Sequence, residues 1–400
     1  MEKKKITQII IVFILALSSG LSLSYYTKTK NSDLSIIKIE GDTWRELGID
    51  YGRKCKNEIQ GLAALLRELG DAAGLLGTSF EQLKNDFEPY IPDYLIEEME
   101  GVAEGAGVDY MDILMINCFA EIMLLAASGG IACTQWAKLN GVSDSGPIFG
   151  RTLDFFPSFV LMNFNVYLVA DIGGIRWIGQ SIAGMVGLLA GMNDKGLVIS
   201  ISMVSTNETG LGIPMVLAIR HALQQYENVA EAEAYLDGQT HALGWNFFMM
   251  DKDGDAAILE TTNKNHNTRW LNDEEEVSSD YMAATNDFHS QAMAPYCSQT
   301  ETSILRKARA EQLMDQNDNF GVGDAIKISR DEYDASIDAT NPGRNTICRK
   351  WIRKTFLPAG TLGTFIAVPK EGYCVVSNGY PDSALFYAVN LQGEVTGPIA

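Results

Sequence analysis

The sequence predicts an α+β fold: antiparallel sheets preceded by a helical N-terminal segment. Between about residues 42 and 127, apolar residues recur at three- and four-residue spacing, the period of helices with one buried face. After Cys133 the pattern changes to short strands separated by tight turns. Those turns fall at Asp144-Ser145-Gly146, Gly173-Gly174, Asn193 to Gly196, Asp253-Gly254 and Lys370-Glu371-Gly372, each flanked by β-branched and aromatic residues. Hairpins in series with helices between them argue for antiparallel sheets and against a doubly wound parallel one.

In chain order, residues 1–24 come first: Lys3 to Lys5, an apolar run from Ile9 to Leu17, then small residues ending at Ser24. That order reads as a secretory export signal; uncleaved, residues 6–24 would be a membrane tether. Trp44, Leu47, Tyr51, Cys55, Ile59, Leu62, Leu66 and Leu69 form one face of an amphipathic helix. A second helix is expected from Pro92-Asp93 to Gly105-Ala106-Gly107, and a third from Tyr110 behind an Asp109/Asp112 cap. Helical patterns return from Pro214 to about Leu236 and from Thr302 to about Leu313. The expected division is 1–24 signal or anchor, 25–132 helical segment and 133–400 sheet-rich region.

Composition narrows the function. The chain has 400 residues, 46% of them hydrophobic, and a net charge of -20 from 31 basic against 51 acidic side chains, which disfavours a nucleic-acid partner. Both segments are acidic, so their association has to come from apolar burial. Four histidines occur in no zinc-ligand spacing, and six cysteines are too scattered for a disulfide scaffold, with Cys348 and Cys374 a possible pair. Asp251-Lys252-Asp253-Gly254-Asp255 with Glu260 misplaces the glycine and glutamate of a calcium loop and reads as a hairpin turn; no metal site is expected.

Cys133 stands at the junction of the two patterns, after a run of small residues. If the bond between Ala132 and Cys133 were cut, Cys133 would carry a free α-amine with an ordinary pKa of about 7.7–8.0, just below the thiol's at about 8.5. Such an amine can take the thiol proton itself, and no histidine is needed.

Cys133-Thr134 followed by Phe149-Gly150-Arg151-Thr152-Leu153-Asp154-Phe155 resembles the opening of the cysteine-type N-terminal nucleophile (Ntn) hydrolases of the choloylglycine hydrolase group, which includes bile salt hydrolase and penicillin V acylase. The likeness continues at Gly191-Met192-Asn193, Ala284-Thr285-Asn286-Asp287-Phe288 and Ser303-Ile304-Leu305-Arg306. The Glu100 to Val108 stretch, the Asn117 segment, Gly244-Trp245-Asn246-Phe247 and Thr346-Ile347-Cys348 are similar to the isopenicillin-N acyltransferase-like branch, with Ala132 and Asp287 as departures where that branch has Gly and more often His.

The resemblance implies a four-layer αββα sandwich, self-cleavage between Ala132 and Cys133, cleaved chains that stay associated, and action on a small-molecule N-acyl substrate without a cofactor. It implies Cys133 as nucleophile and base, Arg151 and Asp154 beside it, the Asn286 side chain and the Asn193 backbone N–H as oxyanion donors, and Arg306 as support. Arg151 and Asp154, three apart on a strand, point to opposite faces, and Asn193 has a turn role open to it as well. Phe155, Phe156 and Phe159 would border a hydrophobic acyl pocket. The expected activity is an amide hydrolase or acyltransferase; an unprocessed exported binding protein on the same scaffold and a phospholipase B-like ester hydrolase are the alternatives.

Overall fold

The computed structural model describes residues 34–72, 80–121, 132–155, 161–273, 276–350 and 360–399. The 1–24 segment lies outside them, and no helix among the described residues is long and apolar enough to cross a membrane.

Strand β1 (Ile36–Glu40) leads into helices α1 (Trp44–Lys54), α2 (Lys56–Ala72), α3 (Phe80–Phe87), α4 (Asp93–Ala106) and α5 (Tyr110–Asn117). The single long helix expected across Cys55 is two, because Cys55 leaves helical geometry at φ -112, ψ 24 and α2 restarts at Lys56. The Asp109/Asp112 capping box that opens α5 is present as expected. Gly48 and Gly52 of α1 face Gly101 and Gly105 of α4 so closely that a Cβ at Gly101 would come within 2.1 Å of the Arg45 carbonyl. The glycine-rich stretch thus serves helix packing.

Strands β2 (Ala132–Lys138), β3 (Ile148–Phe155), β4 (Asn165–Ile172), β5 (Ile175–Ile182), β6 (Ala190–Asn193) and β7 (Val198–Val204) precede α6 (Met215–Gln225) and α7 (Val229–Asp237). Then come β8 (Gly244–Met250), β9 (Ala256–Thr261), β10 (His266–Trp270), β11 (Tyr281–Ala284), α8 (Glu301–Asp315), α9 (Val322–Ser329), the short pair β12 (Tyr333–Asp334) and β13 (Ala339–Thr340), and β14 (Gly360–Val368), β15 (Tyr373–Asn378), β16 (Phe386–Asn390) and β17 (Val395–Ile399). All five predicted turns join antiparallel neighbours: β2–β3, β4–β5, β6–β7, β8–β9 and β14–β15. Asp251 accepts from the amides of Asp253 and Asp255 and so ties the β8–β9 turn, with no metal needed.

Two large sheets result, ordered β1-β4-β5-β6-β7-β8-β9-β10 and β11-β2-β3-β14-β15-β16-β17, besides the small β12–β13 pair. Residues such as Phe149, Tyr167, Ile178 and Phe248 fill the space between them. The outer face of the first sheet packs on α6, α7 and the N-terminal helices, and that of the second on α8 and α9. These are the four αββα layers, mixed α+β as predicted. The parallel pairing of β1 with β4 differs from the antiparallel sheets expected; it brings the N-terminal segment into the sheet itself.

That segment is locked in by polar contacts as well as apolar ones. Asn117 accepts from the amides of Val186 and Gly187 and donates to the Gly184 carbonyl, while Tyr51 accepts from Gly184. Glu98 of α4 pairs with Arg220 of α6 at 3.3 Å in full burial. All six cysteines are free, so Cys348 and Cys374 are not paired.

Candidate active site

Cys133 lies near the start of β2 and is buried. Pleating puts Cys133, Gln135 and Ala137 on one face of β2, with Leu153, Arg151 and Phe149 opposite them on β3. Arg151 therefore reaches Cys133: its Nη2 lies 3.4 Å from Sγ, while Nη1 donates to the Leu189 carbonyl. Gly150 precedes it because the Trp136 indole occupies that place; a Cβ there would come within 2.3 Å of the ring.

Asp154 is on the other face, cross-strand from Ala132. Its carboxylate accepts from Thr361 Oγ1 at 2.7 Å and pairs with Arg349 Nε at 3.2 Å. In the uncut chain it is Asn286 Oδ1, not Asp154, that accepts from the Cys133 N–H, at 3.0 Å. Burial raises the Asp154 carboxyl above its ordinary pKa, against the pull of Arg349 and Arg306.

Arg306, projecting from α8, joins both faces. It donates to the Cys133 carbonyl, to Thr134 Oγ1 at 2.9 Å and to Asn286 Oδ1 at 2.8 Å. Burial, then the neighbouring Arg349, lowers it to about 9, so it remains a cation at neutral pH. Asn286 donates from Nδ2 to the Met203 carbonyl at 2.9 Å, and the second hydrogen on that nitrogen has no partner among the described residues.

Asn193 is not part of this cluster. Its backbone N–H donates to the Leu197 carbonyl at 3.0 Å, its Oδ1 accepts from the amides of Lys195 and Leu197, and its Nδ2 donates to the carbonyls of Leu223 and Tyr226. The turn chemistry that favours Asn has taken every group the oxyanion role required.

An apolar pocket opens on Cys133 and Arg151, lined among others by Leu62, Leu66 and Phe119 from the N-terminal segment and by Leu153, Met203 and Trp245 from the sheets. Phe155 lines it too, with its ring 6.1 Å from that of Phe119; Phe156 and Phe159 lie outside the described residues. Arg349 and Thr361 were missed by sequence reasoning. Nothing local marks them, since Thr361 meets Asp154 as its cross-strand neighbour on β14, and Arg349 pairs with it from a segment nearly two hundred residues away in the chain.

A family model described as acyl-coenzyme A:6-aminopenicillanic acid acyl-transferase matches residues 142–352. The chain belongs to this acyl-transferase family. The match takes in Arg151, Asp154, Asn193, Asn286 and Arg306 and begins just after Cys133. An uncharacterized protein of Archaeoglobus fulgidus is 27% identical over 50% of this chain and 37% of its own length. The chain spans under two fifths of the length of the curated relatives it matches. Among solved structures, it is similar to a Caenorhabditis elegans N-acylethanolamine-hydrolyzing acid amidase ortholog (15% identity, 60% of this chain and 93% of that one, TM-score 0.42). It is also similar to penicillin V acylase from Agrobacterium tumefaciens (13%, 65% and 86%, TM-score 0.42).

In this acyl-transferase family member the pocket is also edged by Met215, the first residue of α6, whose N–H donates to Glu121 Oε1 at 2.9 Å. Burial raises the Glu121 carboxyl from its ordinary 4.5 to about 7. The folded chain therefore holds a proton there between pH 4.5 and 7 that the unfolded chain has released. This stabilisation is complete below pH 4.5 and is lost as pH rises through 7, on the order of 3 kcal/mol in all. Glu98 shifts in the same sense, also to about 7, so the variant comparison isolates Glu121. Glu121→Gln is expected to shrink the difference in urea midpoint between pH 5 and pH 8; an unchanged difference would contradict the assignment.

Proposed function

We propose that the chain is a self-processing cysteine amide hydrolase or acyl transferase that carries an apolar acyl group as a thioester on Cys133. The observation behind it is the setting of that residue: Sγ lies 3.4 Å from a guanidinium at an apolar pocket, with its backbone nitrogen held by Asn286. In the uncut chain Sγ attacks the Ala132 carbonyl carbon; the Ala132–Cys133 C–N bond breaks as the nitrogen takes a proton. Water then hydrolyses the thioester and leaves Cys133 with a free α-amine.

The amine is the base within reach. His221 bonds Tyr94, His241 bonds the Leu236 carbonyl and His266 bonds Asp237, while burial lowers His289 to about 3. None of the four histidines is among the described residues lining the pocket. Once the amine has taken the thiol proton, the Arg151 Nη2 lies 3.4 Å from the sulfur, within hydrogen-bonding reach of it. Sγ adds to the substrate carbonyl, the second Nδ2 hydrogen of Asn286 binds the oxyanion, and the protonated amine passes its proton to the leaving nitrogen. Water or an amine then takes the acyl group.

An apolar acyl chain suits the pocket, and the N-terminal helices supply one of its walls, so the cleaved pieces stay together. Residues 1–24 as an export signal, or 6–24 as a tether, would place the reaction outside the cytoplasm. Straight-chain acyl amides of 7-amino-4-methylcoumarin, from acetyl to decanoyl, test the substrate class. Expected is a rise in kcat/KM of about three- to fourfold per added methylene until the pocket is filled. A flat or falling series would contradict an apolar acyl site.

A further inference from the structure

Asn286 sits in the Thr285-Asn286-Asp287 turn between β11 and α8, and two side chains of the facing sheet grip that turn. Asn246 on β8 donates from Nδ2 to the carbonyls of Thr285 and Asp287, each at 3.0 Å, one on either side of Asn286. Ser202, its cross-strand partner on β7, donates to the same Thr285 carbonyl and lies 3.4 Å from Asn246 Nδ2. The orientation of the amide is fixed by these acceptors, because reversing it would set Oδ1 against two carbonyl oxygens. In this orientation the Asn246 Oδ1 is buried with no hydrogen-bond partner among the described residues. A buried polar atom left unsatisfied is unfavourable, so packing alone does not account for an asparagine at this position.

We infer that Asn246, seconded by Ser202, is a positioning residue for Asn286. By fixing the carbonyls on both sides it sets the 3.0 Å contact of Asn286 Oδ1 with the Cys133 nitrogen. Among the described residues it does not line the pocket, and its hydrogen bonds go to Ser202, Thr285 and Asp287. The inference rests on the site reading proposed above, in which Asn286 orients that nitrogen for its work on the thiol.

The test reads alkylation of Cys133 by iodoacetamide, which needs no knowledge of the substrate. Asn246→Asp keeps the shape and loses both donors; it is expected to slow alkylation about tenfold, as a misplaced group does. Asn286→Ala should slow it by a similar factor, and the double variant should be no slower than Asn286→Ala alone, since Asn246 acts only through Asn286. Ser202→Ala, a milder change with about a threefold effect, serves if Asn246→Asp fails to fold. Wild-type rates in Asn246→Asp, or factors that multiply in the double variant, would overturn the inference. Wild-type Cys133 reacting no faster than the half-buried Cys297 would instead count against the site reading. The clamp is then judged by amide hydrogen exchange at Asn286, faster in Asn246→Asp if it holds and unchanged if it does not.

Discussion

Cys133→Ala is expected to yield a single uncut chain with amide hydrolysis reduced to background. Removing the nucleophile of a hydrolase whose catalytic groups act as a unit lowers kcat by about 10⁶-fold. Here the same sulfur is assigned both self-cleavage and turnover. The substitution deletes one buried atom that lies against Arg151 Nη2, so its effect on stability should stay within about 1–2 kcal/mol. Chain length on a denaturing gel, thermal midpoint and coumarin release are the three measurements. A folded Cys133→Ala protein that still divides at residue 132, or still turns over, would rule out the sulfur as nucleophile.

Asp154→Ala should produce the largest loss of stability. The carboxylate is fully buried between Thr361 and Arg349, and Arg306 is close enough to feel its charge. Taking it away leaves two buried guanidinium groups without their counter-charge. Breaking a buried pair in this way typically costs about 3–5 kcal/mol, out of a total margin of about 5–15. Because Asp154 faces Ala132 across the β2–β3 ladder, the scissile bond should lose its fixed geometry too, and self-cleavage should slow. Asp154→Asn, which still offers an oxygen to Thr361, should fall between the two. Urea unfolding decides the matter, and a loss under 1 kcal/mol in Asp154→Ala would contradict the charge balance described for this face.

Much of this site could be read in the sequence. The turn residues located all five hairpins, because Gly, Asn and Asp at tight turns act locally. The motif order brought Cys133, Arg151, Asn286 and Arg306 together, as the hydrogen bonds among them show. What was not legible depends on distant partners. Strand alternation already put Arg151 and Asp154 on opposite faces, yet only the fold reveals that Arg349 and Thr361 wait for Asp154 on its side. The backbone N–H of Asn193, expected as an oxyanion donor, is taken by the Leu197 carbonyl of its own turn. The break at Cys55 and the parallel β1–β4 pair have no signature in periodicity, since the first is one residue and the second joins segments more than a hundred residues apart. Asn246 lay in a recognisable motif, but its contacts are with the carbonyls of Thr285 and Asp287, about forty residues on, which no local pattern marks.

The most direct test of the central claim is N-terminal sequencing of the purified wild-type protein together with intact-mass analysis after incubation with an acyl coumarin amide. Self-processing predicts a chain that begins at Cys133, and acyl transfer predicts that this chain gains the mass of the acyl group as a thioester on the same residue. A protein that hydrolyses the amide at full rate while the Ala132–Cys133 bond remains intact would contradict it.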